Sequence, residues 1–171
     1  MKVMVISDTH IPKRAKKLPD RIISDLKKAD LIIHAGDWQT LEVYKDLSQY
    51  GEVKGVYGNV DNDEIKAHFP KKLILELNGH KIGVVHGHGR KLTTERRAQE
   101  AFKDDHVDCI IFGHSHIPVQ KLSNDILLFN PGSATDKRRQ SNYSYGILMI
   151  KNEIKKQSMF IFQIKHRKNH A

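Results

Sequence analysis

Five short apolar runs, each emptying into a polar loop, constrain this chain more than any other feature. Residues 2–6 lead into Ser7-Asp8-Thr9-His10, 30–34 into Ala35-Gly36-Asp37, and 51–56 into Tyr57-Gly58-Asn59. Residues 81–85 lead into His86-Gly87-His88, and 107–112 into Gly113-His114-Ser115-His116. Runs of this length, rich in Val and Ile, read as buried strands. Leu18, Ile22, Ile23 and Leu26 recur at helical spacing, which predicts a helix over 18–29 and a βαβ opening. The pattern repeats with a helix over 40–49.

The second half is richer in strands. Asn78-Gly79 suits a tight turn, so 72–77 and 81–85 should pair as a hairpin. A helix over 93–103 precedes the fifth run. Short strands are then expected near 119–122, 126–129, 145–150 and 158–164, with a turn at Asn130-Pro131-Gly132-Ser133. The polar, basic stretch 136–142 has no periodicity and reads as the most mobile segment. The chain of 171 residues suits one domain spanning 1–171. The expected class is α/β, a two-sheet β-sandwich flanked by helices in four layers, with ligands bound beyond the carboxyl ends of the strands.

Composition narrows the function classes. Cys109 is the single cysteine; it lies in an apolar run, which excludes a disulfide framework and predicts an inert thiol. No apolar run approaches the roughly 20 residues of a membrane span, and a signal-peptide pattern is missing, which points to the cytoplasm and to no membrane partner. The formal net charge of +9 favours anionic partners. Part of it lies in Lys13-Arg14-Ala15-Lys16-Lys17, whose role is open, and part in the tail Lys165-His166-Arg167-Lys168, which reads as solvated surface. Nucleic acid is disfavoured, because aromatic residues make up only 7% and no basic and aromatic stripe appears.

The loops supply Asp8, His10, Asp37, Asn59, His86, His114 and His116 as candidate ligands. Oxygen and imidazole donors without thiolate suit divalent ions such as manganese, iron, nickel or zinc. Seven donors exceed the need of one ion and divide better between two, bridged by a carboxylate. In an extended loop, residues i and i+2 point the same way, so Asp8 and His10 can act together, and so can His114 and His116 unless the loop splits them.

Taken in order, Asp8-Thr9-His10, Gly36-Asp37, Gly58-Asn59, His86-Gly87-His88 and Gly113-His114-Ser115-His116 resemble the five-block signature of the calcineurin-like metallophosphoesterases. Small single-domain bacterial and archaeal phosphodiesterases are the nearest likeness, and Asn130-Pro131-Gly132-Ser133 also looks like that branch. The resemblance implies that Asp8, His10 and His116 hold a first ion, that Asn59, His86 and His114 hold a second, and that Asp37 bridges them. Asp37, Asn59 and His86 are expected to serve catalysis as well. Two divalent cations, manganese foremost, would activate a bridging hydroxide that attacks a small phosphate ester in line. The alternative is a non-catalytic protein-interaction scaffold of the same fold, as the retromer subunit is understood to be.

Several residues carry weaker expectations. Many family members have histidine after the motif asparagine, whereas this chain has Val60, which offers no proton to a leaving alcohol. Asp61 reads as a turn residue capping the next segment or as a group that orients water or a neighbouring ligand, and His34 as a structural histidine at a strand end with support of Asp37 as the sharper option. His88 is balanced between contact with substrate or an ion and exposure on one side of its loop. Arg138 and Arg139 would reach phosphate only if their loop folds over the site. A homo-oligomer is possible, and the sequence does not set the physiological substrate.

Overall fold

The computed structural model describes residues 1–151 and 154–162; the basic tail at 165–168 and the end of the strand expected at 158–164 lie outside them. The elements run β1 (Lys2–Ile6), α1 (Asp20–Leu26), β2 (Leu31–His34), α2 (Leu41–Ser48), β3 (Val53–Gly55), α3 (Asp63–His68), β4 (Lys72–Leu77), β5 (His80–Val85), α4 (Thr94–Ala101), β6 (Cys109–Ile111), β7 (Val119–Ser123), β8 (Ile126–Asn130), β9 (Tyr143–Ile150) and β10 (Ile154–Phe162). They form two five-stranded sheets, ordered β10-β9-β1-β2-β3 and β4-β5-β6-β8-β7. Strands β1, β2 and β3 run parallel to one another, as do β5, β6 and β8. In each sheet, therefore, the loops leaving the parallel strands emerge on one edge.

The alternation of side chains explains the layers. Along β1, Val3 and Val5 face the second sheet, where they meet Ile82, Val84, Cys109, Ile111 and Phe129. Met4 and Ile6 face the other way, onto Ile22 and Leu26 of α1 and Val43 and Leu47 of α2. In the second sheet Ile110 and Leu128 turn outward onto Ala98 and Phe102 beside α4. A strand buried on both faces reads as a continuous apolar run, and each such side chain contributes about 1.5–3 kcal/mol by leaving water. The four-layer sandwich expected from the sequence is the one observed. Cys109 is fully buried, and burial pushes its thiol up, as its apolar surroundings predict.

One helix was not expected. In α3 the side chain of Asn62 accepts the Ile65 N–H at 3.0 Å, and Asp63 and Glu64 occupy the first turn. Six residues with one buried apolar position, Ile65, show no period; the cap and the acids were the only local signals. The cap is Asn62 rather than Asp61, which does something else. No helix among the described residues is long and apolar enough to cross a membrane.

Candidate metal centre

The five loops converge. Cross-links between them start in the backbone, with the Asp8 N–H donating to the Gly36 carbonyl at 2.9 Å and the Gly113 N–H to the His86 carbonyl at 3.1 Å. Trp38, fully buried, anchors the loop that carries Asp37. Its ring lies between His34 and Phe69, with centroids at 3.8 and 4.4 Å, and its Nε1–H donates to the Val56 carbonyl at 2.8 Å. His34 is completely buried, and burial drives it down to about 3, so it is neutral. Its Nδ1 accepts the Gly36 N–H at 3.1 Å, which leaves Nε2–H to donate to Thr9 Oγ1 at 3.0 Å. The histidine is structural, and through Gly36 it also fixes the turn before Asp37.

The backbone is strained where the candidate ligands sit. Asp8, His10, Asp37, His114 and His116 all have positive φ, between 46° and 69°, a left-handed conformation that costs about 1–3 kcal/mol per residue and clusters at functional sites. The extended-loop basis for pairing Asp8 with His10 is thereby corrected. Both belong to one cluster, but a left-handed turn brings them together. His114 and His116, two residues apart, are split between clusters.

Two groups form. Asp8, His10 and His116 are all buried and offer donor atoms within 4.8 Å of one another; Asp37 and His86, buried, and His114, half-buried, offer theirs within the same distance. Asp37 Oδ2 stands between them, 3.6 Å from His10 Nε2 and 3.1 Å from His86 Nε2. Asn59, exposed at the rim, points Oδ1 to within 3.2 Å of His114 Nδ1. All seven residues singled out from the sequence meet here. His88 is half-buried at the edge, its ring 5.5 Å from that of His86.

Four of the donors, Asp8, Asp37, His86 and His116, are held by their second atom, and His116 Nε2 also meets His10 Nε2 at 3.3 Å. Asp8 Oδ2 accepts from Ser7 Oγ at 2.7 Å and from the His114 N–H at 3.0 Å. Asp37 Oδ1 accepts the Val60 N–H at 3.1 Å. A carbonyl oxygen only accepts, so His86 Nδ1 donates to the Ala35 carbonyl at 2.7 Å and His116 Nδ1 to that of Asp136. In their neutral forms both rings then turn a Nε2 lone pair toward the centre. Asp8 Oδ1 and His86 Nε2 are buried without a hydrogen-bond partner. The 3.1 Å approach of His86 Nε2 to Asp37 Oδ2 is an ion-pair distance without hydrogen-bonding alignment. With His86 neutral, buried lone pairs would face one another unpaired, which is unfavourable unless a cation joins them, so the donor set fits divalent metal.

The electrostatics agree. Burial alone would raise the Asp8 carboxyl, but His10, His116 and His86 outweigh it and hold the group well below the usual range. Burial also opposes ionisation of Asp37, and His86 and the Val60 N–H bring it down. Burial, with the neighbouring His86, lowers His114 to about 4.

Ser7, Ser133, Thr135 and Asp136 were not anticipated as supports. Ser133 Oγ donates to the Asp8 carbonyl at 2.8 Å and Thr135 Oγ1 to that of Thr9 at 2.7 Å. Asn130 Nδ2 donates to the Gly113 carbonyl at 3.0 Å, giving the Asn130-Pro131-Gly132-Ser133 turn its place in the site.

A two-sheet sandwich with acidic, amide and imidazole donors at the strand ends defines a metallophosphoesterase. The chain belongs to the calcineurin-like phosphoesterase superfamily, whose domain model matches residues 1–153. A probable metallophosphoesterase of Methanocaldococcus jannaschii is 40% identical over 139 residues, covering 81% of this chain and 70% of that protein. The structure of a novel archaeal phosphodiesterase is 26% identical, with a TM-score of 0.72 over 95% of this chain and 100% of that one. Chaetomium thermophilum Vps29 shares the fold, with a TM-score of 0.79 at 19% identity over 95% of this chain and 96% of the other. The family is metal-dependent, which agrees with the two donor groups.

Proposed function

We propose that this protein is a two-metal phosphodiesterase of the cytoplasm, acting on a small phosphate ester with manganese as the foremost candidate ion. The orphaned, buried Asp8 Oδ1 and His86 Nε2 carry this reading. Asp8, His10 and His116 would hold one ion; Asn59, His86 and His114 the other; Asp37 would contact both. Two cations bound there supply the charge that acidifies water and neutralises the phosphate. The protein contributes position. Ser7 and the His114 N–H aim Asp8, the Val60 N–H aims Asp37, and the Ala35 and Asp136 carbonyls fix the tautomers of His86 and His116. Asn59 and the half-buried His114 form the side open to substrate. The likeness to Vps29 is one of fold, and a complete donor set favours the enzyme over a scaffold.

A metal-reconstituted assay tests the proposal across aryl and cyclic-nucleotide diesters and the matching monoesters, repeated with Asp37→Ala. The expected result is faster turnover of diesters and loss of at least about 100-fold in the variant. Unchanged hydrolysis after Asp37→Ala refutes the bridging role.

A further inference from the structure

Beside the metal centre lies a cleft of about 530 Å³ walled by Arg14, Ser115, Ile117, Lys137, Arg138 and Arg139. It shares a wall with the donor groups, because Ser115 sits between His114 and His116 and the carbonyl of Asp136, next to Lys137, accepts from His116 Nδ1. The segment 136–142 does fold against the site. The Asp136 N–H donates to Ser133 Oγ at 2.8 Å, and a turn closes from the Gln140 N–H to the Lys137 carbonyl at 2.9 Å. Lys137 Nζ donates to the Gln140 carbonyl at 3.2 Å. At the rim, Asp136 Oδ2 lies 3.7 Å from Arg14 Nε and steadies that guanidinium. Among the described residues Lys137, Arg138 and Arg139 enter no ion pair, and Arg138 and Arg139 are exposed.

Unpaired guanidinium groups on an anchored turn next to a phosphate site concentrate anions and match phosphate oxygens two at a time. We infer that this cleft receives a second phosphate, so that the preferred substrates are diesters bearing a further phosphate group away from the bond that is cleaved. The inference rests on the phosphodiesterase reading for its chemistry, though not for its binding.

The test compares a 5′-phosphorylated dinucleotide with the same dinucleotide ending in a 5′-hydroxyl. A parallel pair of glycerophosphodiesters, with and without a terminal phosphate, tells a nucleotide source from a sugar-phosphate source. The expected preference in kcat/KM is about tenfold for the extra phosphate in at least one pair, the worth of one charge-assisted contact. Arg138→Ala with Arg139→Ala should erase it, while Lys27→Ala with Lys28→Ala, an equal loss of charge at the exposed end of α1, should keep it. No preference in either pair, or equal loss in both double variants, overturns the inference. If no diester is hydrolysed at all, binding of the phosphorylated dinucleotide to the chelator-treated protein still decides. Affinity that depends on Arg138 and Arg139 supports the cleft, and its absence overturns it.

Discussion

Asp61 holds the backbone of Asp37, its Oδ2 accepting the Asp37 N–H at 3.0 Å. The same oxygen takes the Gly58 N–H at 2.7 Å, and Oδ1 takes that of Gln39 at 2.6 Å. One buried carboxylate thus ties the loop after β2 to the loop after β3, keeping Asp37 in place beside Asn59. Both Asp37 and Gln39 are left-handed, at φ 58° and 88°, so they need an external hold. Asp61→Asn preserves size but sets an NH₂ against a backbone N–H. Metal affinity should fall about 10- to 100-fold, as for other supports of ligands, read by titration with manganese. Wild-type affinity in the variant would show that Asp61 merely shapes a turn.

Two glycines make room for the same carboxylates. A Cβ at Gly113 would lie 2.0 Å from Ser7 Oγ and 2.7 Å from Asp8 Oδ2; one at Gly58 would lie 2.0 Å from Asp37 Oδ1. Gly113→Ala and Gly58→Ala should therefore cut activity sharply and destabilise by about 1–3 kcal/mol, the usual range for overpacking. Gly79, at the β4–β5 turn, has nothing within 4 Å but a φ of 81°. Gly79→Ala should lose about 1 kcal/mol through backbone strain and keep full activity. Equal activity losses at all three positions would deny the close-approach argument.

The strands, and the loops that carry the donors, were legible because burial on two faces leaves a continuous apolar run and because Asp, Asn and His beside Gly stand out after it. The contacts that aim the donors were not. Ser133 reaches Asp8 across 125 positions, and no local pattern encodes that approach. Nor does sequence reveal that Asp8 and His10 turn left-handed, since this conformation is imposed by the loops packed around them. Asp61 was visible as a turn residue or as a support of a neighbouring ligand, but its three acceptor contacts depend on where the Asp37 loop comes to rest.

Proton linkage offers a direct check of the donor set. Burial alone would lower His86, yet Asp37 and Asp8 raise it to about 9, so its ring is charged at pH 7.5. A divalent ion needs the Nε2 lone pair. Metal uptake at pH 7.5 should release protons, and affinity should rise with pH until about pH 9. Calorimetry in two buffers of different ionisation enthalpy measures the release. Uptake without proton release would place the ion away from His86.

Val60 is 44% exposed at the mouth of the site, where its N–H serves Asp37 and its side chain has no proton to give. Esters with acidic leaving groups, such as phenols, should be cleaved faster than alkyl esters. Val60→His should raise alkyl turnover, by up to about 100-fold if the imidazole protonates the leaving oxygen, and leave aryl turnover almost unmoved. Comparable rates on alkyl and aryl diesters in the unsubstituted protein would mean that another acid serves.

Away from the site, α1 is pinned to the first sheet by Asp25, which accepts from the Tyr145 hydroxyl at 2.7 Å and pairs with Lys2 Nζ at 2.9 Å. Partial burial opposes the charge on Asp25, but Tyr145 and Lys2 prevail and lower its carboxyl. A carboxyl depressed on folding stabilises fully above its unfolded value of about 3.9, and that contribution fades as pH falls through the folded value. Tyr145 runs the other way: burial and Asp25 raise its phenol, so its share is complete below about pH 10 and fades only in strong alkali. Tyr145→Phe should therefore lose about 1–3 kcal/mol between pH 5 and 9, the worth of a hydrogen bond to a charged acceptor, with the gap to the unsubstituted protein closing as pH falls below 4. Urea midpoints from pH 2.5 to 7 measure it. A gap that stays constant into acid would assign the loss to packing of the Tyr145 ring against Phe160, with centroids 5.1 Å apart, and not to the bond with Asp25.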